Sequence, residues 1–136
     1  METALRILAL RDHAERELRD KLIRKGYQKE EVEETIEKLR ELRLLDDKEF
    51  ALKYALERRR KLFGDLKIEF ELRNKGVKEE VIAEALKRAE EFLNEKVAAE
   101  LLLQKRSNYS REKNIRFLSS RGYRWDTIKE LVENES

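Results

Sequence analysis

Two runs of basic residues are the side chains in this sequence best suited to chemistry. From Arg58 to Lys78 there are eight Lys or Arg against three acids, a local +5. From Lys105 to Arg124 there are seven against one, a local +6, although the whole chain carries only +2. Clustered cations attract phosphate backbones and acidic protein faces. The candidate contacts are Arg58, Arg59, Arg60, Lys61, Lys67, Arg73, Lys75, Lys105, Arg106, Arg111, Lys113, Arg116, Arg121 and Arg124. The competing explanation is the solvated face of a charge-rich chain, with 46% Asp, Glu, Lys and Arg against the ~25% of ordinary domains.

Catalytic chemistry has little support. There is no cysteine, so thiolate chemistry and Cys/His metal spacing are absent. His13 is the only histidine and is expected in the first turn of an exposed helix, with no partner for nucleophilic or metal chemistry. No glycine-rich phosphate loop exists. Acid pairs such as Asp46–Asp47 read as helix caps. The chain is therefore expected not to be an enzyme and to hold no metal or cofactor.

The elements that carry the cations announce themselves by an internal repeat. Gly26, Gly76 and Gly122 each have Leu four residues before them (Leu22, Leu72, Leu118) and a cation just before them (Lys25, Lys75, Arg121). Four residues after each is an acid (Glu30, Glu80, Asp126), and six after is Val32, Ile82 or Ile128. The glycine closes one helix in the left-handed region, the cation complements that helix C-terminus, and the acid falls in the first turn of the next. The apolar positions bury one stripe of each helix. Repeats near this period mean stacked modules.

The sequence thus predicts an all-α chain of three tandem three-helix modules, 1–45, 46–92 and 93–136. There is no proline to interrupt helices and no period-2 alternation to support strands. Asp12 with Glu15 and Asp46 with Glu49 read as helix starts, as do Asp65 and Ser110. The stretch from Glu79 to Arg106 is either one long helix or two with a break at Asn94. No apolar run approaches the ~20 residues of a membrane span. Met1 to Leu10 lacks the features of a signal peptide, so a cytoplasmic monomer is expected. Charge is polarised by helix: Glu30, Glu31, Glu33, Glu34 and Glu37 crowd one third helix, so a DNA-reading role for the helix after the glycine is disfavoured.

Several motifs in order then resemble one family. They are Leu44-Leu45-Asp46-Asp47-Lys48-Glu49-Phe50-Ala51, Tyr54, Arg58-Arg59-Arg60, Gly64 and Glu71-Leu72-Arg73-Asn74-Lys75-Gly76-Val77. Arg11-Asp12-His13 with Glu17-Leu18 and Lys21-Leu22 near the start, and Arg116-Phe117-Leu118 with Arg121-Gly122-Tyr123 near the end, extend the match. The chain resembles the RecX regulatory proteins over essentially its whole length. Asp65 departs from the proline frequent after that glycine.

The resemblance implies three helical modules in an elongated, curved array. It implies a cytoplasmic protein that binds the RecA recombinase and its filament on single-stranded DNA, inhibiting recombinase, ATPase and co-protease activity in DNA repair and the SOS response. It does not assign contact residues. The alternative is a helical-repeat protein that binds DNA directly, without RecA. On either reading the arginine run 58–60 is expected to be surface, so that reversing all three to Glu leaves the helices intact.

Overall fold

The computed structural model describes residues 1–133, whose regular structure is nine α-helices with no strand among them. Residues 134–136, the end of the third expected module, lie outside the described part. The helices are α1 (Glu2–Leu10), α2 (Glu15–Arg24), α3 (Lys29–Glu41), α4 (Asp47–Arg60), α5 (Asp65–Asn74), α6 (Glu79–Phe92), α7 (Glu95–Gln104), α8 (Arg111–Ser120) and α9 (Trp125–Glu133). The stretch after Glu79 is two helices. Leu93 is extended, and the Asn94 side chain accepts the Val97 N–H at 2.9 Å to start α7. No described helix is long and apolar enough to cross a membrane.

The three glycine turns are the same object. Gly26, Gly76 and Gly122 have φ of +96°, +84° and +82°. In each, the residue after the glycine donates to the carbonyl of the leucine five residues earlier: Tyr27 to Leu22, Val77 to Leu72, Tyr123 to Leu118. The glycine N–H closes the inner bond of the same motif. Two further helices, α3 and α4, end on this pattern with side-chain-bearing residues in the left-handed region, Arg43 (φ 58°) and Leu62 (φ 67°). No glycine marked those positions.

Helix starts agree with expectation at Asp46, which accepts from Lys48 and Glu49, and at Ser110, which accepts from Lys113. They differ at two others. The cap of α2 is Ala14, whose N–H is taken by the Glu17 carboxylate at 3.0 Å, so Asp12 is outside the motif. The cap of α5 is Gly64, and Asp65 is the first helical residue.

His13 also differs from expectation. It precedes α2, is buried, and its Nδ1 donates to the Arg11 carbonyl at 2.9 Å while Nε2 faces the Lys21 ammonium at 2.5 Å. Burial, joined by the Arg11 and Lys21 charges, lowers its pKa against a backbone hydrogen bond that raises it. It is a neutral structural histidine.

Close helix packing falls within consecutive triplets: α1 with α2 and α2 with α3, α4 with α5 and α6, then α7 and α8 with α9. Each triplet surrounds its own apolar cluster, around Leu18, Ile36 and Leu39, around Ala55, Ile68 and Leu72, and around Leu118, Tyr123 and Ile128. The clusters are not sealed from each other. Ala14 belongs to the middle one, and Leu62 packs against the last.

Candidate interaction surface

The cations are positioned by the joints between triplets, and the two joints follow one plan. At the first, the start of α2 meets the Gly76 turn. Arg16 donates to the Asn74 carbonyl at 2.6 Å, and Lys75 pairs with Glu17 at 2.8 Å. At the second, the start of α5 meets the Gly122 turn. Gly64 and Leu66 donate their N–H groups to the carbonyls of Arg121 and Gly122, at 2.9 and 2.8 Å. The backbones approach so closely that a Cβ on Gly64 would overlap the Gly122 carbonyl, and one on Gly122 would overlap the Lys67 backbone.

Each joint also carries an acid from the first residue of the following triplet's first helix, half-buried at Asp47 and buried at Glu95. Asp47 accepts the N–H of Glu15, the first residue of α2, at 2.9 Å. Glu95 accepts the N–H groups of Asp65 and Arg124, at 3.4 and 2.7 Å. A helix start has orphan N–H donors, and those of Glu15 and Asp65 are satisfied from the next triplet. Burial raises the pKa of both acids.

Arg59 lies at the centre of the second joint with no solvent exposure. It pairs with Asp65, meets Glu90 at 3.4 Å, and donates to the Leu93 and Phe63 carbonyls at 2.6 and 3.1 Å. Its position was expected on the surface. Ala51, Ala55 and Arg59 fall four residues apart on one stripe of α4, and that stripe faces the core. The arginine run is therefore not a uniform exposed patch.

The other candidates divide by whether an acid already holds them. Arg58 is half-buried, bidentate to Glu71 at 2.9 and 2.8 Å, with its guanidinium 4.1 Å from the Phe63 ring centre. Arg60 and Lys61 are exposed and both reach Glu57. Arg73 is held by Glu69 and Glu79, Lys75 by Glu17, and Arg124 by Asp65 at 3.1 Å. The Arg121 guanidinium lies 4.0 Å from the Phe63 ring centre and donates to the Lys61 and Leu62 carbonyls. Arg106 sits 4.0 Å from the Tyr109 ring centre and 3.9 Å from that of Phe117.

Among the described residues, Lys67, Lys105, Arg111, Lys113 and Arg116 make no ion pair. Lys105, Arg111, Lys113 and Arg116 are exposed and lie on α8 or the segment leading into it. Of the candidate cations, the exposed ones that no acid of the described residues holds are thus on the last triplet. No cluster of His, Asp or Glu suited to a metal occurs among the described residues.

Comparison with known proteins agrees along the chain. Residues 1–39 match the family description "RecX, first three-helix domain", and residues 46–86 match "RecX, second three-helix domain". A regulatory protein RecX from Pelodictyon phaeoclathratiforme is 42% identical over 137 residues, covering 97% of this chain and 86% of the relative. One from Chlorobium limicola is 40% identical, covering 95% and 84%. The crystal structure of RecX from Lactobacillus salivarius superposes with a TM-score of 0.73 at 25% identity, over 98% of this chain and 92% of that one.

Proposed function

The chain belongs to the RecX family of regulatory proteins, and we propose that it binds the RecA recombinase as a filament on single-stranded DNA and inhibits its ATPase, strand-exchange and co-protease activities. The observation that carries this reading is the match to a regulatory RecX protein over 97% of the chain. The cytoplasm is the compartment where such a filament forms. The protein acts by occupancy, as a non-enzymatic ligand without a cofactor.

The geometry supports a division of labour among the candidate cations. Arg58, Arg73 and Lys75 already face acids of this chain, and Arg59 is internal. Reaching a phosphate would require them to leave those partners. Lys105, Arg111, Lys113 and Arg116 have no such partner among the described residues, so they are the phosphate contacts of choice. They lie beside the Arg106–Tyr109–Phe117 stack, where basic and aromatic groups alternate.

The test is RecA ATP hydrolysis on single-stranded DNA with this protein and with its Arg111→Glu/Lys113→Glu/Arg116→Glu variant. The parent should suppress hydrolysis and the variant should not, with unchanged helical content. Loss of three phosphate contacts should lower the salt dependence of filament binding by roughly 2 logarithmic units per decade of salt. The alternative, direct DNA binding without RecA, wins if the parent binds naked DNA as tightly as the filament.

A further inference from the structure

The same glycine turn occurs three times, but only two copies are covered. The turns at Gly76 and Gly122 each sit on the first turn of the second helix of the preceding triplet. Their following residues, Val77 and Tyr123, are 4% and 2% exposed. The turn at Gly26 has the same φ sign and the same closing bonds, yet a Cβ there would meet nothing within 4 Å. Tyr27 is 38% exposed, and Ile23 beside it 46%. Among the described residues no donor reaches the Lys25 or Gly26 carbonyl, whereas their counterparts, Arg121 and Gly122, accept the Gly64 and Leu66 N–H groups.

The covered copies state what such a turn receives. At the Gly122 turn the carbonyls take the orphan N–H groups of a helix start, from Gly64 and Leu66, and at the Gly76 turn the Asn74 carbonyl takes the Arg16 side chain of the docked helix. A small residue, Ala14 or Gly64, stands at the cap of that helix. At the first joint the cation before the glycine, Lys75, pairs with Glu17, the third residue of the docked helix. Lys25 is the equivalent cation here, and it makes no ion pair among the described residues.

We propose that the Lys25–Gly26–Tyr27 turn is a protein-docking surface that receives the first turn of a partner helix with a small cap residue and an acid at its third position. A second copy of this chain does not fit. Its equivalent helix start, the second of a triplet with no glycine turn seated on it among the described residues, is that of α8, where Arg111 and Lys113 would face Lys25. Resting on the reading above, the partner is the recombinase subunit itself rather than its DNA. The chain then spans its target with opposite ends given to opposite chemistries, the first triplet to protein and the last to phosphate.

The experiment compares the parent with Gly26→Asn and with Lys25→Ala, measuring ATPase inhibition, binding to DNA-free RecA and binding to naked single-stranded DNA. Asn tolerates positive φ and fills open space, so the fold survives, which circular dichroism checks. Lys38→Ala, an exposed cation on another face of the first triplet, is the control. Each turn variant should weaken inhibition and RecA binding about tenfold, as loss of a central interface residue does, with naked-DNA binding within twofold. Unchanged inhibition by both turn variants overturns the proposal, as does an equal loss in Lys38→Ala or a loss confined to DNA binding. If the parent itself does not inhibit RecA, it is the proposed function that fails.

Discussion

Substituting alanine at each of the three turn glycines separates backbone strain from joint packing, because the three share one conformation and differ in what surrounds them. All have φ between +82° and +96°, so each pays about 1 kcal/mol for a Cβ in the left-handed region. Gly26→Ala adds nothing further, since the new carbon meets open space. At Gly76 the carbon lands on the Arg16 side chain, which must swing away and lose its 2.6 Å bond to the Asn74 carbonyl, adding about 1 kcal/mol. At Gly122 it lands on the backbone of Lys67, which cannot move alone. The joint must open, losing the Gly64 and Leu66 hydrogen bonds, for a total near 3 kcal/mol. Urea unfolding followed by circular dichroism should rank the losses 26 < 76 < 122. Gly64→Ala isolates the packing part, because its φ of −84° suits any residue while its Cβ overlaps the Gly122 carbonyl. It should cost about 2 kcal/mol. Equal losses at 26 and 122, or a neutral Gly64→Ala, would refute the argument.

Other expectations follow from the same joints. Arg59→Ala should cost about 3–5 kcal/mol, since it leaves Asp65 only Arg124 as a partner and strips the Phe63 and Leu93 carbonyls of their donor, whereas Arg60→Ala should stay within about 0.5 kcal/mol. Reversing Arg58, Arg59 and Arg60 together should therefore unfold the middle triplet, and thermal melts would detect it. Burial pushes the Glu17 carboxyl up, but hydrogen bonds from Arg11, Lys75 and the Ala14 N–H bring it down to about 2. Its stabilisation is present above its ordinary 4.5 and fades as pH falls toward 2, so Glu17→Gln should flatten the acid limb of a stability–pH curve. Glu95 has the opposite sign, because burial raises it and its ionisation opposes folding as pH rises. Glu95→Gln, which keeps an acceptor for the Arg124 N–H, should make stability less sensitive to pH above 4.5.

What the sequence made legible was local. Gly26, Gly76 and Gly122 could be read because only glycine sits comfortably at φ near +90°, and the flanking leucine and acid have short-range reasons. Asp46 and Ser110 were readable as caps for the same reason, whereas Asn94 was legible only as the point where one long helix or two would part. Arg43 and Leu62 hold the left-handed conformation through tertiary context and left no local mark. Arg59 looked like its neighbours because charge was read ahead of register, although its spacing from Ala51 and Ala55 placed it on the buried stripe. Of the candidate surface, the sequence held the charges but not their partners. Glu71 and Glu17 lie 13 and 58 residues from the arginine and lysine they neutralise.

The acids that cap a helix from the following triplet impose an order on synthesis. The first N–H of α2 belongs to Glu15, but its acceptor is Asp47, 32 residues downstream. At the usual ~5–20 residues per second, that helix start waits about 2–6 s on the ribosome for its cap. The interval for Asp65 and Glu95 is 30 residues. Each triplet is thus completed only by the birth of the next. A nascent chain halted after residue 45 carries a helix whose Glu15 N–H lacks its side-chain acceptor, a defect that a chain only a few residues longer does not have.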